Sequence, residues 1–296
     1  MNRRQAIGAD LLRVSGRATR VLDRAARARI AAFLGSCVAS GGGFRGRGAG
    51  PAADLYYTLF GAVAGNLVGA DSERRALGLF LEQQSPESLD LPHLAALVQC
   101  QRLRHLLGIP RRQRVPYLQA VSRFRSLDGG FGDSPGGARG SAYALYLAVL
   151  CHEALGTEIP ADERASAVAA ELLREELDSA TGSLSRAVSA TLVQQALGVA
   201  VPTAELRQHI RLCGAPGGGF RAHPRAPVGD LLSTAVASFA LRRLGSPLCG
   251  PDAARTAQFV QSLWDVGGGF GGSAGDSTPD CEYTFYGLLA LGALDP

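Results

Sequence analysis

Three aspartates stand at one fixed distance from three phenylalanines. Asp54 follows Phe44, Asp230 follows Phe220 and Asp280 follows Phe270 by ten residues each, while Phe131 plus ten falls on Ser141. Carboxylates gathered at one end of a fold repel one another, and burial raises a carboxyl pKa into the range of a general acid. Asp54, Asp230 and Asp280 are therefore the candidate catalytic residues; the competing reading makes each an N-cap, a common place for Asp before an apolar run. Aromatic residues follow them at helical positions. Tyr57, Tyr143, Tyr283 and Tyr286, with Phe60, Tyr146 and Phe239, are candidates to line a substrate cavity, against the alternative that they pack the wall. Basic residues supply a third group. Arg221, His223 and Arg225 lie between Phe220 and Asp230, and Arg139 and Arg186 occupy comparable connections. Cations near a helix N-terminus are unfavourable for the helix itself, so a bound anion would explain them; exposed loop arginines are the plainer alternative.

Composition removes several chemistries. All 30 basic residues are Arg, so no Schiff base forms and no phosphate-loop lysine exists. The net charge of +4 is uneven: residues 1–29 hold eight Arg against Asp10 and Asp23, a net of +6, which leaves 22 Arg against 24 acids, or −2. A nearly neutral body argues against nucleic-acid binding. The six cysteines are at least 32 residues apart without a paired motif, which predicts reduced, mostly buried thiols and a cytoplasmic location. Arg13, Arg17 and Arg20 interrupt any apolar stretch after Arg3-Arg4, so no export signal is expected, and no run is long enough to span a membrane.

The elements that would position these residues form a repeat. Gly-Gly-Phe turns end at Phe44, Phe131, Phe220 and Phe270, and Asp54-x-x-Tyr57-Thr58-x-Phe60-Gly61 matches Asp280-x-x-Tyr283-Thr284-x-Tyr286-Gly287. Glycines after apolar stretches at 69, 108, 156, 198, 245 and 292 read as helix stops. The spacing predicts six units. In each, an amphipathic first helix (21–39, 72–84, 111–126, 161–178, 202–213, 251–264) precedes a more apolar second one (52–68, 89–107, 141–155, 186–197, 230–244, 280–292). The last apolar helix lacks the polar cap of an open array, so closure is expected: an all-α (α/α)6 toroid of six outer and six inner helices over residues 21–296. Residues 1–20 read as a separate basic arm, solvated or in peripheral contact with a membrane surface. Inner-helix N-termini converging at the mouth would attract an anion above a greasy well.

Ile30-Ala-Ala-Phe-Leu-Gly-Ser-Cys37 running into Gly-Gly-Gly-Phe44, and Gly-Gly-Phe270-Gly-Gly with Tyr283-Thr-Phe-Tyr-Gly-Leu288, resemble the repeats of protein prenyltransferase β subunits. The related squalene (terpene) cyclase group shares the toroid. The resemblance implies an isoprenoid diphosphate as substrate and a helical-repeat partner subunit. It also implies a zinc held by Asp, Cys and His, but the matching positions here are Asp230, Leu232 and Tyr283. Too few ligands remain, so no zinc or other cofactor is expected, and Mg2+ would enter only with the diphosphate. The Asp-x-Asp-Asp acid motif of the cyclases is missing as well. The function expected is zinc-free prenyl transfer on an isoprenoid diphosphate. The alternatives are a class II-like terpene cyclase and a non-catalytic toroid that binds a lipid or a helical partner.

Overall fold

The computed structural model describes residues 6–47, 50, 52–70, 74–105, 108–160 and 163–296. Two N-terminal helices, α1 (Ile7–Gly16) and α2 (Ala18–Val21), lead into six helix pairs. The first pair is α3 (Arg24–Cys37) with α4 (Leu55–Val68), joined through the two-residue strands β1 (Phe44–Arg45) and β2 (Ala53–Asp54). Then come α5 (Arg74–Glu82) with α6 (Leu91–Arg104), and α7 (Arg111–Ser122) with α8 (Ala142–Leu155). The last three pairs are α9 (Glu163–Asp178) with α10 (Leu184–Leu197), α11 (Thr203–Leu212) with α12 (Leu231–Arg243), and α13 (Gly250–Ser262) with α14 (Cys281–Leu294). The expected helix starts at 72 and 161, the end at 107, Pro51 and Arg3-Arg4 lie outside the described residues.

The second helices pack on one another in cyclic order, α4 on α6, then α8, α10, α12 and α14, and α14 returns to α4. The ring is closed, an (α/α)6 toroid, because α14 offers an apolar surface all round, with Phe285, Leu288, Leu289 and Ala293 buried. Outer helices are one-sided, as in α9, where Leu173 is buried and Glu171, Arg174 and Glu175 are exposed.

The recurring motif has a mechanical reading. Ten residues is the span of an antiparallel bridge that pairs Phe44 with Asp54, Phe220 with Asp230 and Phe270 with Asp280. Thr58, Thr234 and Thr284 are fully buried; each hydroxyl accepts from the turn Phe N–H (2.8, 2.9 and 3.3 Å) and donates to the Asp carbonyl (2.5, 2.7 and 2.6 Å). That satisfies two buried backbone groups per turn. Gly61 and Gly287 leave room for the rings of Phe44 and Phe270, which any Cβ there would overlap.

Boundaries shift by a few residues at several helices, and three of the differences have a clear cause. Helix α4 starts at Leu55 rather than 52, because Ala53 and Asp54 pair with the turn. Helix α3 starts at Arg24 and leaves Val21 exposed, so the apolar face begins at Ile30. Gly69, Gly156 and Gly198 end α4, α8 and α10 in the left-handed region, but Gly292 lies inside α14, and a Cβ there would overlap the Val14 carbonyl oxygen.

That contact corrects the reading of the N-terminus. From Ile7 onward the chain is no solvated arm: Ile7, Val14 and Ala18 are buried, the first two in the toroid's main core. Helix α1 lies across the C-terminal ends of the inner helices, where Glu153 at the end of α8 accepts from the N–H groups of Ile7 (2.8 Å) and Gly8 (3.0 Å). Asp10 pairs with Arg243 of α12, and Arg17 Nε lies 3.1 Å from Asp295. From Ile7 to Val21 the chain packs on the toroid rather than standing apart from it. No helix among the described residues is long and apolar enough to cross a membrane.

Candidate functional site

The six inner helices enclose a cavity of about 470 Å³ that reaches Tyr56, Pro92 and Tyr143 at their N-terminal ends, the mouth, and Gly8, Leu11 and Leu12 of α1 at the other. Its wall is mainly aliphatic and aromatic, and one side is built by α4 and α14: Phe60 lies 5.4 Å from Phe285 and 5.7 Å from Tyr286, and Tyr56 lies 4.9 Å from Phe60, between ring centroids. Tyr143, Tyr146 and Phe239 continue the lining on α8 and α12. Electron-rich ring faces around a dry space stabilise positive charge, including a carbocation.

Of the aromatic residues singled out from sequence, Tyr143, Tyr146, Tyr286, Phe60 and Phe239 line this cavity. Tyr57 and Tyr283 do not. Tyr57 packs toward α3 with Phe44 and Ile30, and Tyr283 lies under Arg47, whose guanidinium carbon is 5.1 Å from its ring centroid. Tyr56, Phe285 and Leu232 line the cavity instead. One residue along a helix is about 100° of rotation, so a one-residue misassignment moves a side chain from lumen to wall.

At the mouth, every inner helix is capped by the side chain before its first residue. Asp54, Asp90, Asp230 and Asp280 accept from N–H groups of Tyr57 (3.1 Å), His93 (2.9 Å), Ser233 (2.7 Å) and Tyr283 (2.7 Å), and Ser141 and Ser183 serve α8 and α10. Four carboxylates thus oppose the positive ends of four helices, and the expected anion-attracting rim is largely neutralised from within. The three aspartates read as catalytic sit at one end of the toroid, as expected, each fully employed. Asp54 meets His93 Nε2 at 3.2 Å, while His93 Nδ1 meets Asp90 at 2.7 Å. Asp230 accepts also from the Ser233 hydroxyl at 2.8 Å, and burial raises its pKa. Asp280 is only 6 % exposed; burial raises its pKa, opposed by the Tyr283 N–H and by Arg47, whose Nη2 is 2.9 Å away.

The basic residues are mostly committed elsewhere. Arg221 Nη2 donates to Leu212 O (2.8 Å) and closes the end of outer helix α11; Arg45, at the same repeat position, serves Ser36 and Cys37. Arg139 pairs with Glu171 and Glu175, and Arg186 with Glu176, all on outer helix α9. Arg225 is exposed and remains available to an anion, whereas His223 Nδ1 is buried without a partner. Two residues at the mouth were missed from sequence. Arg47, from the first connection, clamps Asp276 and Asp280 of the last and donates to Thr278 O (2.9 Å). Glu282 accepts from the Tyr56 hydroxyl (2.7 Å), and burial raises its pKa, against the opposing hydrogen bond. Burial pushes the pKa of Tyr143 up to about 12, with the neighbouring Tyr56 hydroxyl opposing the rise. Glu282 carries no sequence signal beyond its place in the first turn of α14.

The residues do not fit a zinc ion. Asp230 spends its oxygens on Ser233, Leu232 faces the cavity, and Tyr283 is covered by Arg47. Among the described residues, no three His, Cys, Asp or Glu side chains are grouped to hold a metal. Cys281 is fully buried and packs toward Cys37 of α3, away from the cavity.

No curated protein matches the chain. Among solved structures, the chain is similar to Candida albicans protein geranylgeranyltransferase-I complexed with GGPP, at 14% identity over 92% of this chain and 78% of that one, with a TM-score of 0.40. The model of the prenyltransferase alpha-alpha toroid domain matches residues 7–174 and 187–295, starting at the first residue of α1. With the closed ring, its turns and nearly its whole length inside that match, this chain belongs to the prenyltransferase alpha-alpha toroid domain family.

Proposed function

We propose that the toroid takes the prenyl chain of an isoprenoid diphosphate into its cavity and transfers it without zinc. The observation that carries the reading is the cavity itself: about 470 Å³ of space, walled by six inner helices with aromatic rings on four of them. Its size is in the range of small-molecule sites, about 300–1,000 Å³, and its surface suits a branched hydrocarbon that passes through positive charge. Arg225, on the connection that opens beside α12, is the group left to meet a diphosphate.

A second reading, cyclisation, is favoured by Glu282. Its carboxyl, joined to the lining residue Tyr56 at 2.7 Å, can deliver a proton through the phenol to an alkene. The alkene's π pair forms the new C–H bond, the π pair of a second alkene of the same chain attacks the resulting tertiary cation to form the ring C–C bond, and a proton lost from a carbon beside the cation so formed returns to the carboxylate. The substrate is isomerised and nothing else is consumed.

Incubation with farnesyl and geranylgeranyl diphosphate, followed by product analysis, separates these readings. Transfer releases diphosphate when an acceptor is supplied; cyclisation gives an isomer of unchanged mass. Bound but intact ligand leaves a binding protein, and failure to bind either compound removes the isoprenoid reading.

A further inference from the structure

Two cysteines from opposite ends of the chain meet away from the cavity, where the first repeat touches the last. Helix α3 lies over the last turn: a Cβ on Gly268 would meet the Arg29 carbonyl oxygen, and one on Gly269 the Phe33 ring. Residues four apart share a helix face, so this face of α3 carries Cys37 one turn further on. There it reaches Cys281, the first residue of α14. Cys281 is in the apolar cluster of Ile30, Leu34 and Phe44, and Cys37 packs against that cluster. The two thiols are unequal. Cys37 is partly exposed, with Arg45 Nε 3.4 Å from its carbonyl oxygen, whereas Cys281 is fully buried. The neighbouring Cys281 thiol holds the Cys37 pKa below its ordinary value, with burial opposing and Arg45 assisting; the same pairing and burial raise that of Cys281. The other four cysteines differ: burial pushes Cys100 and Cys151 up to about 12 and Cys213 up to about 11, and Cys249 is exposed.

A partly exposed thiol with a second thiol beside it suits oxidation by a hydroperoxide. We propose that Cys37 is an oxidation site with Cys281 as its resolving thiol, and that the disulfide they form locks the seam between the first and last repeats. In the first step the Cys37 thiolate attacks one peroxide oxygen; the S–O bond of a sulfenic acid forms, the O–O bond breaks, and the leaving hydroxide takes a proton to become water. In the second the Cys281 sulfur attacks the Cys37 sulfur, the S–S bond forms, and hydroxide leaves with the Cys281 proton as water. Two thiols are oxidised and one peroxide is reduced. The bond closes a loop from residue 37 to residue 281, nearly the whole toroid, at the contact between α3 and α14. A loop of this length removes much freedom from the unfolded chain, so oxidation stabilises the closed ring.

The test uses the full chain carrying Cys249→Ser, which removes the exposed thiol, and treats the reduced protein with hydrogen peroxide before alkylation and peptide mass spectrometry. A peptide pair linked through Cys37 and Cys281 and lost with dithiothreitol is expected, together with a melting temperature about 5–10 °C above that of the reduced protein. Adding Cys281→Ser, with folding checked by circular dichroism, leaves Cys37 as a sulfenic acid that dimedone traps and abolishes the rise. Adding Cys37→Ser instead, at a partly exposed position, gives neither the linked pair nor the dimedone adduct at residue 37. Cys37 left unmodified by peroxide, or oxidised to a sulfinic acid without any linked peptide, would overturn the proposal. A linked pair that leaves the melting temperature unchanged would overturn the lock.

Discussion

A carboxyl group inside an aromatic wall holds its proton more tightly than one in water, because burial penalises the charged form. Glu282 is such a group, and the hydrogen bond from Tyr56 only partly offsets the penalty. Its folded-state pKa lies above its unfolded value, so ionisation costs stability as pH rises from the unfolded pKa to the folded one, after which the cost is constant. Glu282→Gln keeps an acceptor for Tyr56 and removes that cost. Its melting temperature relative to wild type is expected to climb as pH rises above the ordinary glutamate pKa of about 4, and a difference that is flat with pH would show that Glu282 is not buried as described. If the site protonates alkenes, the same variant binds prenyl diphosphates normally and loses turnover. Residue chemistry was only partly legible in the sequence. The N-cap reading of Asp54, Asp230 and Asp280 follows from an Asp preceding an apolar run, whereas Glu282 and Arg47 owe their importance to partners 226 and 233 positions away. Arg221 looked like a diphosphate ligand only because nothing in the linear chain shows that the end of α11 lies within its reach.

Among the elements, α1 is where sequence reasoning fell furthest short. Ile7, Leu11, Val14 and Ala18 make a helical stripe, but the arginines between them suggested a solvated arm. Those arginines extend away from the stripe: Arg13 and Arg20 are largely exposed, and Arg17 reaches Asp295. Helix α1 therefore docks through its apolar side and a close backbone approach at Gly292. Gly292→Ala places a methyl group where the Val14 carbonyl now lies. Overpacking of this kind costs about 1–3 kcal/mol, and here the strain is relieved by displacing α1. Denaturant unfolding should show the loss, and proteolysis should begin within α1 at a denaturant concentration that leaves the wild type intact. Resistance equal to wild type would mean that α14 yields instead.

For the whole molecule, the decisive contact is the one that closes the ring. Helix α14 packs on α4, and Arg47 ties the first connection to the last through Asp276, Asp280 and Thr278. Asp280 is buried and depends on Arg47 for its countercharge. Arg47→Ala is expected to cost about 1.5–3 kcal/mol at neutral pH, the scale of charged hydrogen bonds. Without Arg47 the Asp280 pKa rises further, so the cost shrinks as pH falls and the carboxyl protonates. Chemical denaturation at pH 7 and pH 4 checks both parts, and an equal cost at the two values would place the stabilisation elsewhere.

The sequence by itself determined the class of the molecule, since a repeat of turn, aspartate and apolar helix states how each unit folds and leaves each inner helix to be buried between its neighbours. Local chemistry sufficed for that: Gly-Gly-Phe for the turn, Asp for the cap, Thr58, Thr234 and Thr284 for the tie between them. Only the tertiary structure decided which side of each inner helix sees the lumen, so that Tyr56 lines the cavity and Tyr57 the wall. It likewise decided that carboxylates neutralise the rim and that α1 forms the floor. A helix apolar on every side carries no mark of its inward direction, and a charge shows its role only when its partner, distant along the chain, is in place.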